Sequence, residues 1–178
     1  MDHQRMENQD EQVLKWMLGQ IKRARQRKKR LDDRLMEINA EHFAPIGGIG
    51  YDLLPRSSGV GNGAASILFK LAEIEERIYA QKEEIEKCIC RVMDILSYLP
   101  QDDIGREICE MLHIDGMKWN DIADAIPMSR SQCNVNYNNA IRTLLTFPRI
   151  QKMVENNREA YDMWCYQQEE ARRKRSKK

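Results

Sequence analysis

Apolar residues recur along the first part of this chain at alternating steps of three and four. Between Asp10 and Phe43 they fall at Leu14, Met17, Ile21, Ala24, Leu31, Leu35 and Ile38, with Lys28 taking one place in the series. That stretch holds no proline and one glycine, so it predicts one long helix, with residues 1–9 frayed ahead of it. The alternation puts the apolar side chains on one stripe, as in a heptad helix that pairs with another. An ordinary amphipathic helix on a local core is the plainer alternative. The step returns more regularly at Ile67, Leu71, Ile74, Ile78, Gln81, Ile85, Cys88, Val92, Ile95 and Leu99. Gln81 is the polar interruption of the kind that fixes register in a seam. Two prolines and six glycines lie between Pro45 and Gly63, which excludes regular structure and leaves room for the chain to reverse. The glycines at 59, 61 and 63 make no phosphate cradle, because no strand precedes them and no Gly-Lys-Ser/Thr follows.

After Pro100 the pattern changes to short helices separated by turns. A proline ring cannot sit inside a helix, so a domain boundary is expected at Leu99-Pro100. Ile104, Ile108, Met111 and Leu112 form one apolar face, with Asp102 and Asp103 suited to the positive end of the helix and Asp115-Gly116 closing it. Trp119, Ile122, Ala123 and Ile126 form the next, with Asn120 or Asp121 as cap and Ala123 small enough for a close helix crossing. Pro127-Met128 breaks the chain and Ser129 caps a third helix. Pro148 suits the first turn of a last helix running to about Arg173. The expected fold is all-α: a long helical hairpin (coiled coil), then a helix-turn-helix, then a C-terminal helix. The expected segments are 1–43 and 64–99 for the two heptad helices, 44–63 for the linker, 100–147 for the helix-turn-helix and 148–178 for the last helix with its basic tail.

Charge is informative only through its distribution, since the net charge is +1. Residues 101–126 carry seven acids against two bases, whereas no acid lies between Met128 and Arg149. The third helix would bury Cys133, Tyr137 or Asn136, Ala140, Ile141 and Leu144. Its other face, together with its cap, presents Ser129, Arg130, Ser131, Gln132, Asn134, Val135, Asn138, Asn139 and Arg142. Solvated helices usually mix Glu with Lys. A face of Asn, Gln, Ser and Arg can bond base edges and phosphates without repelling DNA. These nine residues are the candidate DNA contacts, with Arg130 and Gln132 ranked first for bases, and Ser131 and Arg142 for phosphates. A three-helix interaction domain with no nucleic-acid partner is the bland alternative.

The residues Leu99-Pro100, Glu107, Leu112, Gly116, Trp119, Ile122-Ala123, Ser129-Arg130-Ser131 and Ala140 together resemble the helix-turn-helix of sigma-factor region 4. With the heptad helices and the glycine-rich linker upstream, the chain resembles the RinA/ArpU-type phage late-transcription regulators. The resemblance implies a phage or prophage regulator of transcription that binds double-stranded DNA, with RNA polymerase as a further candidate partner. Pro127 departs from the pattern, which usually has glycine in that turn, and Asn136 stands where an apolar residue usually packs.

Other signals are weaker. Residues 22–30 carry seven basic residues in nine, and 172–178 six in seven. The first cluster either neutralises phosphates or pairs with Glu73, Glu75, Glu76, Glu83, Glu84 and Glu86 of the second heptad helix. The second is expected to be a disordered, DNA-attracted extension. Five cysteines show no paired zinc spacing and no even disulfide count, which points to a reducing cytoplasm. Cys109 and His113 at i, i+4 are two ligands without a matching pair. No catalytic constellation, metal site or cofactor is expected, and no signal-peptide or membrane-spanning run is seen. The expected function is sequence-specific regulation of transcription, with homo-oligomers formed through the heptad helices. A small-terminase-like DNA-packaging subunit and a structural coiled-coil adaptor are the alternatives.

Overall fold

The computed structural model describes residues 2–43 and 61–176, and the side-chain surroundings of 9–40 and 66–176. Among the described residues the fold is all-α, with seven helices and no strand: α1 (Asp2–Leu18), α2 (Gln20–Phe43), α3 (Gly61–Leu96), α4 (Ile104–Glu110), α5 (Trp119–Ala125), α6 (Arg130–Leu145) and α7 (Pro148–Ser176). One π-helical turn, Met111–Asp115, follows α4. Most of the expected linker, 44–60, lies outside the described residues, and α3 starts at Gly61.

Three boundaries differ from expectation. The first long helix is two, interrupted at Gly19, the residue with the greatest entropy cost in a helix interior. It begins at Asp2 rather than near Asp10, because nothing in residues 2–9 breaks a helix. The C-terminal basic tail is helical through Ser176 rather than disordered. Glu169–Arg173 and Glu170–Lys174 pairs at i, i+4 hold it in the favourable acid-before-base order.

The chain forms two compact units, Met1–Lys22 with Cys88–Lys178, and Arg23–Lys87. This division replaces the one expected at Leu99-Pro100. The heptad residues Leu14, Met17, Ile21, Val92, Ile95 and Leu99 are buried in the same core as Ile108, Ile122, Ile141, Leu144, Ile150 and Val154. Burying such a side chain contributes about 1.5–3 kcal/mol. The ends of the heptad series therefore serve the core of the first unit. Leu96 ends α3 and Leu99 caps the turn, its N–H donating to the Leu96 carbonyl at 3.0 Å. The residue before a proline disfavours helix, which explains the early stop.

In the second unit the expected stripe is the shielded one. Ala24 and Ile78 are buried, while Leu31, Leu35, Ile38, Ile67, Leu71, Ile74 and Ile85 are half-buried. Arg27 Nε donates to Gln81 Oε1 at 3.3 Å, joining α2 to the polar seam residue of α3. Lys28, the charged residue of the α2 stripe, closes on Asp32 at 2.6 Å.

Candidate nucleic-acid interface

Local chemistry sets the three short helices of the first unit. Asp103 Oδ1 accepts the Arg106 N–H at 2.9 Å and caps α4. The chain leaves the π turn through Gly116 at φ 75°, the left-handed region that glycine enters without strain. The cap of α5 is neither Asn120 nor Asp121. Lys118 stands at that position, and its N–H donates back to the Asp121 carboxylate at 3.4 Å.

The turn between α5 and α6 explains how proline replaces glycine there. Ile126 is extended, as a residue before proline prefers. The Met128 N–H donates to the Ile126 carbonyl at 2.5 Å, closing a three-residue turn around Pro127. In the inverse form of that turn the central φ is near −75°, close to what a proline ring enforces. Asn136, the other departure, is half-buried, and its Nδ2 donates to Met128 Sδ at 3.5 Å. It packs against this turn as a polar spacer in place of an apolar one.

Ser129 Oγ accepts the Gln132 N–H at 3.2 Å and starts α6. The helix buries Cys133, Tyr137, Ala140, Ile141 and Leu144. His113 Nε2 lies 3.1 Å from the Tyr137 hydroxyl, and the Trp119 ring meets Tyr137 edge-on with centroids 5.5 Å apart. Burial, and next the neighbouring Cys109, push the Tyr137 phenol up. These groups anchor the inner face of α6 against the π turn and α5.

Outside, Ser129, Arg130, Ser131, Gln132, Asn134, Val135, Asn139 and Arg142 are exposed. Val135 keeps 48% of its surface, which is unusual for a valine. Ser131, Val135 and Asn139 follow one another at i, i+4 along the outermost ridge, with Gln132 beside them. Arg130, Ser131 and Asn134 edge toward Trp119 around a shallow cavity of about 300 Å³.

The sequence reading missed α1, which packs against α6 and α7. Lys15 Nζ donates to Asn138 Oδ1 at 2.9 Å and stands 5.7 Å from the centre of the Tyr137 ring. Arg142 Nε donates to Glu11 Oε1 at 3.0 Å. Asn138 is half-buried and also donates to the Asn134 carbonyl at 2.9 Å. Two of the nine candidates, Asn138 and Arg142, are thus engaged by α1, and the N-terminal turns of α6 are left open. A ladder of α1–α7 contacts holds α1 there. Arg158 Nη2 donates to Asp10 at 2.6 Å, and Tyr161 Oη to Gln12 at 2.9 Å. The Trp16 ring meets Tyr161 and Trp164 at 5.9 and 6.4 Å. Glu11 and Lys15 sit one turn apart beside the Leu14 and Leu18 stripe, but nothing in their spacing names Asn138 or Arg142 as partners.

Among the described residues no group of three or more His, Cys, Asp or Glu is placed to hold a metal ion, and no helix is long and apolar enough to cross a membrane. Cys109 is buried, and that burial, followed by the Asp103 and Glu110 carboxylates, pushes its thiol up to about 12. Packed in the core, it is a poor nucleophile and metal ligand at neutral pH. Comparison with protein-family models, with curated proteins and with solved structures finds no match to this chain.

Proposed function

We propose that this chain is a sequence-specific double-stranded DNA-binding regulator of transcription, with α5 and α6 as a helix-turn-helix and α6 entering the major groove. The observation that carries this reading is the outer surface of α6. The outer residues of its first two turns are exposed, free of carboxylates and made of Arg, Ser, Gln, Asn and Val. Gln and Asn grip adenine at two points, Arg grips guanine, and an apolar group meets the thymine methyl. A partner protein would more often find a larger apolar patch than one exposed valine. In recognition helices the N-terminal residues reach the bases, and these are the ones α1 leaves open. The resemblance to sigma-factor region 4 and to RinA/ArpU-type regulators supports a phage or prophage source, a bacterial cytoplasm as workplace and RNA polymerase as a second partner. Self-association through the half-buried heptad stripe of α2 and α3 belongs to the same proposal.

The test uses the full chain. Preferred duplexes are selected from a random pool, then compared by fluorescence anisotropy with a scrambled duplex. Arg130→Ala with Gln132→Ala removes two exposed side chains and spares the Ser129 cap, which bonds the backbone. The fold should persist, while each lost paired contact removes about 1–3 kcal/mol of discrimination. Weak, salt-sensitive binding to any duplex should remain. A double variant that discriminates as well as the parent would overturn the assignment of α6.

A further inference from the structure

We infer that Arg25, Lys29 and Arg30 on α2 form a second, sequence-independent contact to the phosphate backbone of duplex DNA, separate from α6. The inference rests on the DNA-binding reading above but on different residues. No acid lies between Glu11 and Asp32. Two of the cations in between and one of the acids on α3 have partners other than each other. Lys28 pairs with Asp32 on its own helix, Arg27 bonds Gln81, and Glu73 of α3 pairs with Arg77 one turn away. Arg25, Lys29 and Arg30 are exposed and form none of the ion pairs found among the described residues.

Their placement suits a phosphate track. Arg25 and Lys29 are i, i+4, as are Gln26 and Arg30, so the four make one patch on adjacent rows of the helix. At about 1.5 Å of rise per residue the patch is about 7.5 Å long, about two phosphate steps of one DNA strand. Gln26, exposed in the patch, adds a neutral donor. Arg25 opposite Lys29 weakens an isolated helix, since like charges repel at that spacing. A polyanion relieves the repulsion. An anionic membrane is the poorer fit, because surface-lying helices bury an apolar face and that of α2 is already shielded, with Ala24 buried and Leu31 and Leu35 half-buried.

The experiment measures binding of the full chain to the selected and the scrambled duplex from 50 to 300 mM NaCl. Each phosphate neutralised contributes about 0.9 to the slope of log K against log salt. Arg25→Ala, Lys29→Ala and Arg30→Ala combined should flatten that slope by about 2–3 for both duplexes. Affinity should fall on the order of a hundredfold near 0.1 M salt, and the preference between duplexes should stay unchanged. Arg25→Lys with Arg30→Lys keeps the charge and should keep the slope. An Ala variant with the parental slope, or a Lys variant that loses as much as the Ala variant, would overturn the contact. So would loss of pelleting with phosphatidylserine vesicles at an unchanged DNA slope. If the α6 variant keeps its discrimination while the α2 slope falls, only the assignment of α6 fails. If the α6 variant behaves as expected and the α2 slope does not move, only this contact fails. A parent chain that binds no duplex at 50 mM salt overturns both.

Discussion

Gly105 marks the place where α4 and α6 come closest. A methyl added there would stand 2.7 Å from Ala140 Cβ, 2.8 Å from the Asn136 carbonyl oxygen and 2.9 Å from Asp103 Oδ1. Carbon atoms in contact sit about 3.5–4.0 Å apart, so the helices would have to part by about 1 Å. The Asn136 oxygen belongs to the α6 backbone and cannot move without the helix. Asp103 Oδ1 is the acceptor that caps α4, so pushing it aside weakens the cap. Overpacking by a methyl costs about 1–3 kcal/mol, a weakened cap adds up to about 1, and the propensity gain from Gly to Ala returns at most about 1. Gly105→Ala should therefore destabilise by about 1–3 kcal/mol, with the melting temperature falling about 2–4 °C per kcal/mol. All three tryptophans, Trp16, Trp119 and Trp164, lie in the first unit, so their fluorescence in guanidinium chloride reads that unit alone. Ala140→Gly relieves one of the three clashes. The double variant should be less destabilised than the sum of the two single changes. An unchanged or raised midpoint for Gly105→Ala, or strict additivity in the double variant, would refute the close crossing.

Three further outcomes follow from buried and paired groups. Folding holds the Cys109 proton up to about 12, whereas the unfolded thiol releases it near 9.0. That contribution to stability is complete below about pH 9 and is lost as pH rises toward 12, with the raised Tyr137 phenol acting in the same direction. The fluorescence midpoint should fall steeply above pH 9, and less steeply in Cys109→Ala. At pH 8 an alkylating reagent should label exposed Cys90 and spare buried Cys88, Cys109 and Cys133, which peptide mass mapping would read directly. Glu11→Gln removes the carboxylate from Arg142 while keeping the side chain's size. Arg142 should then add up to one phosphate contact and steepen the salt slope by up to about 0.9, while half-buried Glu11 also gives up its pair with Lys15, so the melting temperature should fall by the equivalent of about 0–1 kcal/mol per pair. An unchanged slope would mean that Arg142 stands away from the duplex.

Periodic features were the legible ones. The apolar face of α6 is Cys133, Tyr137, Ala140, Ile141 and Leu144, as the spacing predicts, and Asp103, Ser129 and Gly116 act where capping chemistry places them. Periodicity could not say what each stripe packs against. Leu14, Ile21, Val92 and Ile95 read as seam residues of a hairpin, yet they lie in the core of the unit that contains α6. The spacing marks Ala123 as small enough for a close crossing, but it does not mark the one at Gly105 against Ala140. A glycine near a helix start reads as a weak helix former, and only the position of α6 shows that a side chain has no room there.

The same limit governs the candidate interface. Residue type alone selected nine side chains on and beside one helix face, but type cannot register a neighbour brought in from more than 120 residues away along the chain, as Lys15 is to Asn138. That neighbour divides the face. Asn138 and Arg142, the part nearest α1, have their hydrogen bonds within the protein. Ser131, Gln132, Val135 and Asn139 remain open. An open ridge with one apolar centre and amides beside it has more to offer A·T pairs, through the thymine methyl and the adenine edge, than to cytosine, whose amino group calls for a carboxylate acceptor. Duplexes selected by this chain should then be richest in A·T pairs where the middle of α6 lies, and Val135→Ala should weaken preference there more than at flanking positions. Replacing thymine by uracil in the selected duplex deletes the methyl and nothing else, so it should reproduce the Val135→Ala loss in the parent chain and add nothing to it in the variant. Additive losses would place Val135 away from the methyl and refute this orientation of the ridge.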